Sequence, residues 1–193
     1  MRPASILALL TGLSLAGHAS AADWQMDLFS YFRFVDQGRA QQIDGGIVPV
    51  EIGSGMLGSW SLSIRAAKVK LDPIVVSPEE ILDLALASDG AGELSIKNGE
   101  IHGFLTLTLA IRRRGYDEGV LLPLRFTTET AVSQLRPGTS IRGEPLDPGS
   151  GFVQLVAVAE EPWSPPPLLG KSFEVVLSGR LIGLPQDLVS AAP

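Results

Sequence analysis

The stretch ELSIKNGEIHGFLTLTLAI, residues 93–111, holds the only asparagine of the chain, directly before a glycine. Asn-Gly best accepts the two positive φ angles of a type I′ turn, whose twist matches that of paired strands. A two-residue loop at Asn98-Gly99 therefore sets Lys97 against Glu100, Ile96 against Ile101, Ser95 against His102 and Leu94 against Gly103. Cross-strand partners share a face. Leu94, Ile96, Ile101, Leu105, Leu107, Leu109 and Ile111 then point one way, and Ser95, His102, Thr106 and Thr108 the other. The middle of the chain is thereby committed to antiparallel sheet with one apolar and one polar face.

The overlapping segment LTLTLAIRRRGYDEGVLLPLRF, residues 105–126, yields a second ribbon by the same parity. With Arg114-Gly115-Tyr116-Asp117 as a four-residue loop, Arg113 pairs with Glu118, Ile111 with Val120, Leu109 with Leu122, Leu107 with Leu124 and Leu105 with Phe126. The apolar partners all land on the core face, and the arginine triplet falls at the hairpin end. Arg113 is offered the carboxylate of Glu118, while Arg112 and Arg114 face the other way. Charged tips of this kind stay in water and deter edge-to-edge aggregation, which needs no ligand. In a surface or adhesion module the same tip, Arg112, Arg113, Arg114 and Tyr116, is the candidate partner contact. Pro123 has no N–H for a ladder, so its strand is expected at a sheet edge or at a bulge.

Elsewhere, short runs of Val, Ile, Leu, Phe and Thr alternate with turn signals drawn from 21 glycines and 14 prolines, the pattern of an all-β sandwich or barrel. WQMDLFSYFRFV, residues 24–35, reads as one strand with Trp24, Met26, Leu28, Phe32 and Phe34 inward. Further strands are predicted at Ser59 to Lys70, Phe152 to Ala159 and Phe173 to Leu181, with shorter ones near Gly46 to Ile52 and Thr139 to Arg142. VSPEEILDLALASDG, residues 76–90, supports two readings. Ser77, Pro78 and Glu80 match a helix N-cap, an N1 proline and a capping-box acid, giving one short helix near residues 78–87. Leu82, Leu84 and Leu86 alternate as in a strand. The expected fold class is all-β: an antiparallel β-sandwich or flattened β-barrel of about 8–10 strands.

The chain opens MRPASILALLTGLSLAGHASAADW, with one arginine, an apolar run from Ile6 to Leu15 and a small-residue site at Ala19, Ser20 and Ala21. That is the form of a secretory signal peptide cleaved between Ala21 and Ala22, so residues 1–21 are read as leader and 22–193 as a single β-sandwich domain. The run is too short to span a bilayer as a helix, and no later stretch comes closer. Loss of Arg2 takes the formal charge from −6 to about −7. Nucleic-acid affinity depends on lysine and arginine neutralising phosphate, so this acidic chain is a poor candidate for it. There is no cysteine, which excludes disulfides, thiolate metal sites and a cysteine nucleophile. A mature chain of about 172 residues has enough core to do without disulfides in an oxidising compartment. The expected location is a bacterial periplasm or the medium.

His18 leaves with the leader, so His102 is the only imidazole of the mature chain, on a strand face beside serine and threonine. A Ser-His-Asp site would have to use it, yet no serine sits in a G-x-S-x-G elbow, and Ser95 lies in a regular strand. Glu79, Glu80 and Asp83 are explained by a solvated face or a helix start. No calcium loop occurs, and the glycine clusters IDGGIVP and EIGSGMLGSW lack the lysine of a phosphate loop. No catalytic, metal or cofactor site is assigned. Trp60, after a glycine loop, and Trp163, in a proline loop, are placed to offer a flat face to a sugar or lipid, although a tryptophan capping a sandwich end is the commoner use. The leading expectation is a non-enzymatic binding, surface or structural module outside the cytoplasm, with a glycan, lipid or protein partner. The alternative is a carrier of a lipid-like ligand inside a closed barrel, since strands this apolar can line a cavity as well as fill a core. A polysaccharide-acting enzyme with two carboxylates across a cleft is third.

Overall fold

The computed structural model describes residues 20–27, 30–36, 40–54, 58–133, 140–146, 151–162 and 171–191. These residues form the strands β1 (Ser20–Met26), β2 (Tyr31–Phe34), β3 (Ala40–Gln42), β4 (Ile47–Ser54), β5 (Ser59–Ile64), β6 (Ile74–Ser77), β7 (Glu80–Leu86), β8 (Gly90–Lys97), β9 (Glu100–Arg113), β10 (Gly119–Thr127), β11 (Ala131–Ser133), β12 (Ser140–Arg142), β13 (Val153–Pro162) and β14 (Ser172–Ile182), and one short helix, α1 (Gln186–Ala191). All pairings among them are antiparallel. Twelve strands join one sheet, and β11 with β12 forms a separate ribbon.

Two long strands organise the sheet. One edge of β9 takes β10, and the other takes β8 and then β7, which act as a single interrupted strand. β14 is bordered in the same way by β13 on one edge and by β1 and then β2 on the other. From these interruptions β8, β5, β4 and β1 run on in order and connect β9 to β14. The ring is completed where β10 meets β13 at Thr127 and Val156. β6 beside β7 and β3 beside β2 extend as wings. The architecture is a flattened antiparallel barrel that opens into a sandwich, the class the turn and alternation pattern implies.

Inward faces supply one large apolar core. Trp24 on β1 and Phe126 on β10 come from strands well separated around the ring, yet their rings meet edge-to-face at 5.1 Å. Aromatic side chains therefore span the interior at this level. Phe32 packs against Phe34 and Phe173 at 5.1 and 5.5 Å in a second group. Both central ribbons have the expected register: Lys97 faces Glu100, Ile96 faces Ile101 and Leu94 faces Gly103, then Ile111 faces Val120 and Leu105 faces Phe126. Asn98 and Gly99 have φ values of 53° and 82°, the two positive angles of a type I′ turn. Pro123 lies on an edge, because β10 pairs with β13 only at Thr127.

Of the two readings of residues 76–90 the strand is the one found: the segment is β7, and the short helix near residues 78–87 does not form. Pro78 and Glu79 make a two-residue turn between β6 and β7, with Ser77 opposite Glu80. The capping-box pattern is local, whereas the alternation buries Leu82 and Leu84 and supplies ladder partners for residues 109–113 of β9. Residues 24–35 form two strands rather than one. The β14 ladder runs through Met26 and resumes at Tyr31; between them the Asp27 N–H still donates to the Ser178 carbonyl (2.7 Å), and the same residue of β14 anchors Ser30. The Ser30 Oγ donates to the Ser178 carbonyl (3.2 Å) and accepts from the Ser178 N–H (3.0 Å). Leu28 lies outside the described residues. The strand from Ser59 ends at Ile64 and gives way to a 3₁₀ turn, Ala66–Lys68. The number of strands exceeds the expected range because residues 24–35 give two strands and because β3, β6 and β11 are only 3 or 4 residues long and carry too little alternation to read.

The β11–β12 ribbon covers the outer side of β13, β14 and β2. Ile141 and Val132 pack there on Val156, Val176 and Tyr31, a second small apolar cluster. Tyr31 donates its hydroxyl to Glu174 Oε2 (3.0 Å), which also accepts from Arg33 Nε (2.5 Å). Burial first, and then the Glu174 carboxylate, push the Tyr31 pKa from 10.0 up to about 12. In that interval the native state keeps a proton that the unfolded chain has lost, so stability is full below pH 10 and declines as pH rises toward 12. Urea midpoints measured from pH 9 upward should show this decline, and Tyr31→Phe should remove that component; a wild-type decline matched in the variant would rule Tyr31 out as its source. Among the described residues no helix is long and apolar enough to cross a membrane.

Candidate functional site

Three strands build the arginine tip. β7 sets Asp83 opposite Arg112 and Leu82 opposite Arg113, which brings two acids beside the triplet. Arg114 donates from Nε to both Asp83 oxygens (3.1 and 3.2 Å) and from Nη2 to Oδ1 (2.5 Å), bonds that raise its pKa. Arg113 takes Glu80 rather than the Glu118 expected from the sequence. Glu80 lies two residues from Leu82 on β7 and shares its face, so it falls on the Arg113 side. Arg113 Nε is 3.8 Å from Glu80 Oε1, with the two side chains 20% and 13% exposed. Its guanidinium also lies over the Tyr116 ring, 4.3 Å from the centroid. The same Glu80 oxygen is buried and has no hydrogen-bond partner among the described residues. Arg112 is exposed.

One of the three arginines is thus part of the packed structure. Arg113→Ser should lower stability by about 2 kcal/mol, because it strands a largely buried carboxylate. Arg112→Ser and Arg114→Ser should leave the urea midpoint nearly unchanged, and Glu80→Gln should recover much of the Arg113→Ser loss. Equal, negligible effects at all three positions would return the whole triplet to solvent.

The outward side of β9 runs from this tip as a shallow trough. Its floor is Thr106, Thr108, Ala110 and Arg112, spaced over about 20 Å of strand. On one flank β10 places Arg125 opposite Thr106, Pro123 opposite Thr108 and Leu121 opposite Ala110. On the other, β8 places Ala91 opposite Thr106, and β7 places Ala85 opposite Ala110 and Asp83 opposite Arg112. Two open concavities follow one another along this floor, about 470 Å³ beside Ala110, Arg112 and Tyr116 and about 290 Å³ beside Thr106, Thr108 and Arg125. Leu121, 64% exposed, stands on the rim, and Tyr116, 54% exposed, at one end. Arg125 lies over the Phe104 ring at 4.7 Å near the other end. The two acids along the flank are engaged: Asp83 by Arg114, and Asp89 as acceptor of the Ala66 N–H (2.8 Å).

The remaining sequence candidates fall elsewhere. Trp60 is half-buried on β5 and packs against the core. Trp163 lies outside the described residues, as do residues 1–19. Ala21 and Ala22 are in β1, Ala22 in the core opposite Val50. His102 is held by Thr128 Oγ1 (3.2 Å) and lies 3.3 Å from Glu100. Sequence reasoning placed Arg112 and Tyr116 but missed the rest of the trough. Its signal was present: the outward row of β9, Thr106-Thr108-Ala110, is short and uncharged where a solvated face is usually charged.

No protein-family model, curated protein or solved structure matches this chain. Fold and surface together define an all-antiparallel β protein, half barrel and half sandwich, with an open trough along its longest strand.

Proposed function

We propose that the chain is an exported, non-enzymatic β-sandwich module that acts outside the cytoplasm by binding a partner along the outer face of β7, β9 and β10. The observation that carries this reading is the trough itself: a floor of small side chains about 20 Å long, a bare leucine on its rim and an arginine at each end. Partner-binding faces combine apolar contact with aromatic and arginine anchors, as Leu121, Tyr116, Arg112 and Arg125 do here. The Trp24–Phe126 contact favours a packed interior over a ligand chamber, and so favours outer-surface binding over the carrier alternative. Export rests on the leader-like residues 1–21, and the absence of cysteine is compatible with it.

Two measurements test the reading. Protein recovered from the cell envelope of its own host should begin at Ala22; a chain retaining residues 1–21 in the cytosol would end the export proposal. A photo-crosslinking side chain at Leu121 should give a discrete adduct in that host, and one at Ile47, 61% exposed on β4, should not. Matching behaviour at the two positions would sink the trough as a binding face.

A further inference from the structure

A different part of the surface holds an arginine fixed in advance. On the outer side of β13 and β14, Gln154 is 5% exposed and Ser178 is fully buried. Gln154 Nε2 donates to Ser178 Oγ, and Gln154 Oε1 accepts from Arg180 Nε at 3.3 Å. The Arg180 guanidinium also lies over the Phe152 ring, 4.9 Å from its centroid. One edge and one face are occupied, while the paired Nη groups donate to no described residue. A planar guanidinium held this way presents the fork that grips a carboxylate with two parallel hydrogen bonds.

Beside it lies a cavity of about 160 Å³, whose lining includes Arg142, Glu144 and Asp27 as well as Gln154, Phe152 and Arg180. Glu144 and Gln154 are clamped together by reciprocal backbone hydrogen bonds of 2.9 and 2.8 Å, which sets the Glu144 main chain beside the residue that holds Arg180. The lining residues include two arginines and two acids, of which Asp27 is already engaged. A simple anion would gain from the first pair and lose to the second, whereas a molecule bearing both charges gains from both. At about 30 Å³ per water, the space equals roughly five waters, enough for about six non-hydrogen atoms.

We propose that this cavity binds a small zwitterion of the α-amino-acid type, its carboxylate on Arg180 and its ammonium group toward Glu144. This site is separate from the β9 trough and stands or falls without it.

The test is amide NMR of the ¹⁵N-labelled protein titrated with glycine, L-alanine and D-alanine, and with acetate and ethylammonium as the separate halves. At least one amino acid should give saturable shifts at Glu144, Gln154 and Arg180, with either half at least about tenfold weaker. Arg180→Met and Glu144→Gln should each weaken the amino acid by at least about tenfold. The proposal is overturned if no amino acid gives saturable shifts, if acetate binds as tightly as the amino acids, or if Glu144→Gln leaves affinity unchanged. Should Arg180→Met disturb the fold, seen as spectrum-wide change, Glu144→Gln decides alone, because its exchange removes charge at a side chain outside the Arg180–Gln154 chain.

Discussion

Phe126→Ala is expected to lower the unfolding free energy by about 3–5 kcal/mol. Phe126 is fully buried on β10, and its ring meets Trp24 from β1 inside the barrel. Both strands are held in ladders, so neighbours cannot close over the space that the ring leaves, and a cavity remains. Against a total stability of about 5–15 kcal/mol this is a large fraction, worth on the order of 10 °C in melting temperature. Urea unfolding measures it directly. Combining Phe126→Ala with Trp24→Ala should fall short of the sum of the single losses, because the two rings share one contact. A loss below about 1 kcal/mol for Phe126→Ala, in the range of ordinary surface substitutions, would mean that the rings do not span a packed interior.

Gly179→Ala is the second large effect. Gly179 sits on β14 opposite Met26, and the space a side chain would occupy there is filled by the Trp24 indole. A Cβ at this position would overlap Nε1 and lie 2.8 Å from Cδ1. The indole has no room to retreat, with Phe126 against it, so about 3 kcal/mol should be lost. The indole N–H is also buried without a hydrogen-bond partner among the described residues, which the packing must already offset. Trp24→Leu should suppress the effect: adding Gly179→Ala to Trp24→Leu should cost little more. Full additivity of the two changes would show that Gly179 is needed for something other than room for the indole.

The parts of this fold legible in the sequence are those whose partners lie close along the chain. Asn98-Gly99 dictated one register and Gly115 allowed the next, because a tight turn leaves parity no freedom. Pro123 announced an edge through chemistry of its own. The division between β1 and β2 was hidden, because Trp24, Met26, Phe32 and Phe34 keep one parity across it and the buried Ser30–Ser178 contact that marks it is long-range. At Ser77-Pro78 a local helix signal and a β period competed, and long-range burial of Leu82 decided between them. The partnership of Arg113 with Glu80 depends on β7 lying beside β9, a pairing no local pattern announces. The same holds for the Arg180 cavity, where Glu144, Gln154 and Arg180 come from three separate segments.

The seam between β1 and β14, with Trp24 opposite Leu181, has a kinetic consequence. β8, β9 and β10 can zip in sequence as each emerges, but that flank of β1 has nothing to join until β14 has been made. Closure of such a distant pair is slow as well as late. The ring of strands therefore stays open until β14 is in place, however early β8, β9 and β10 have paired.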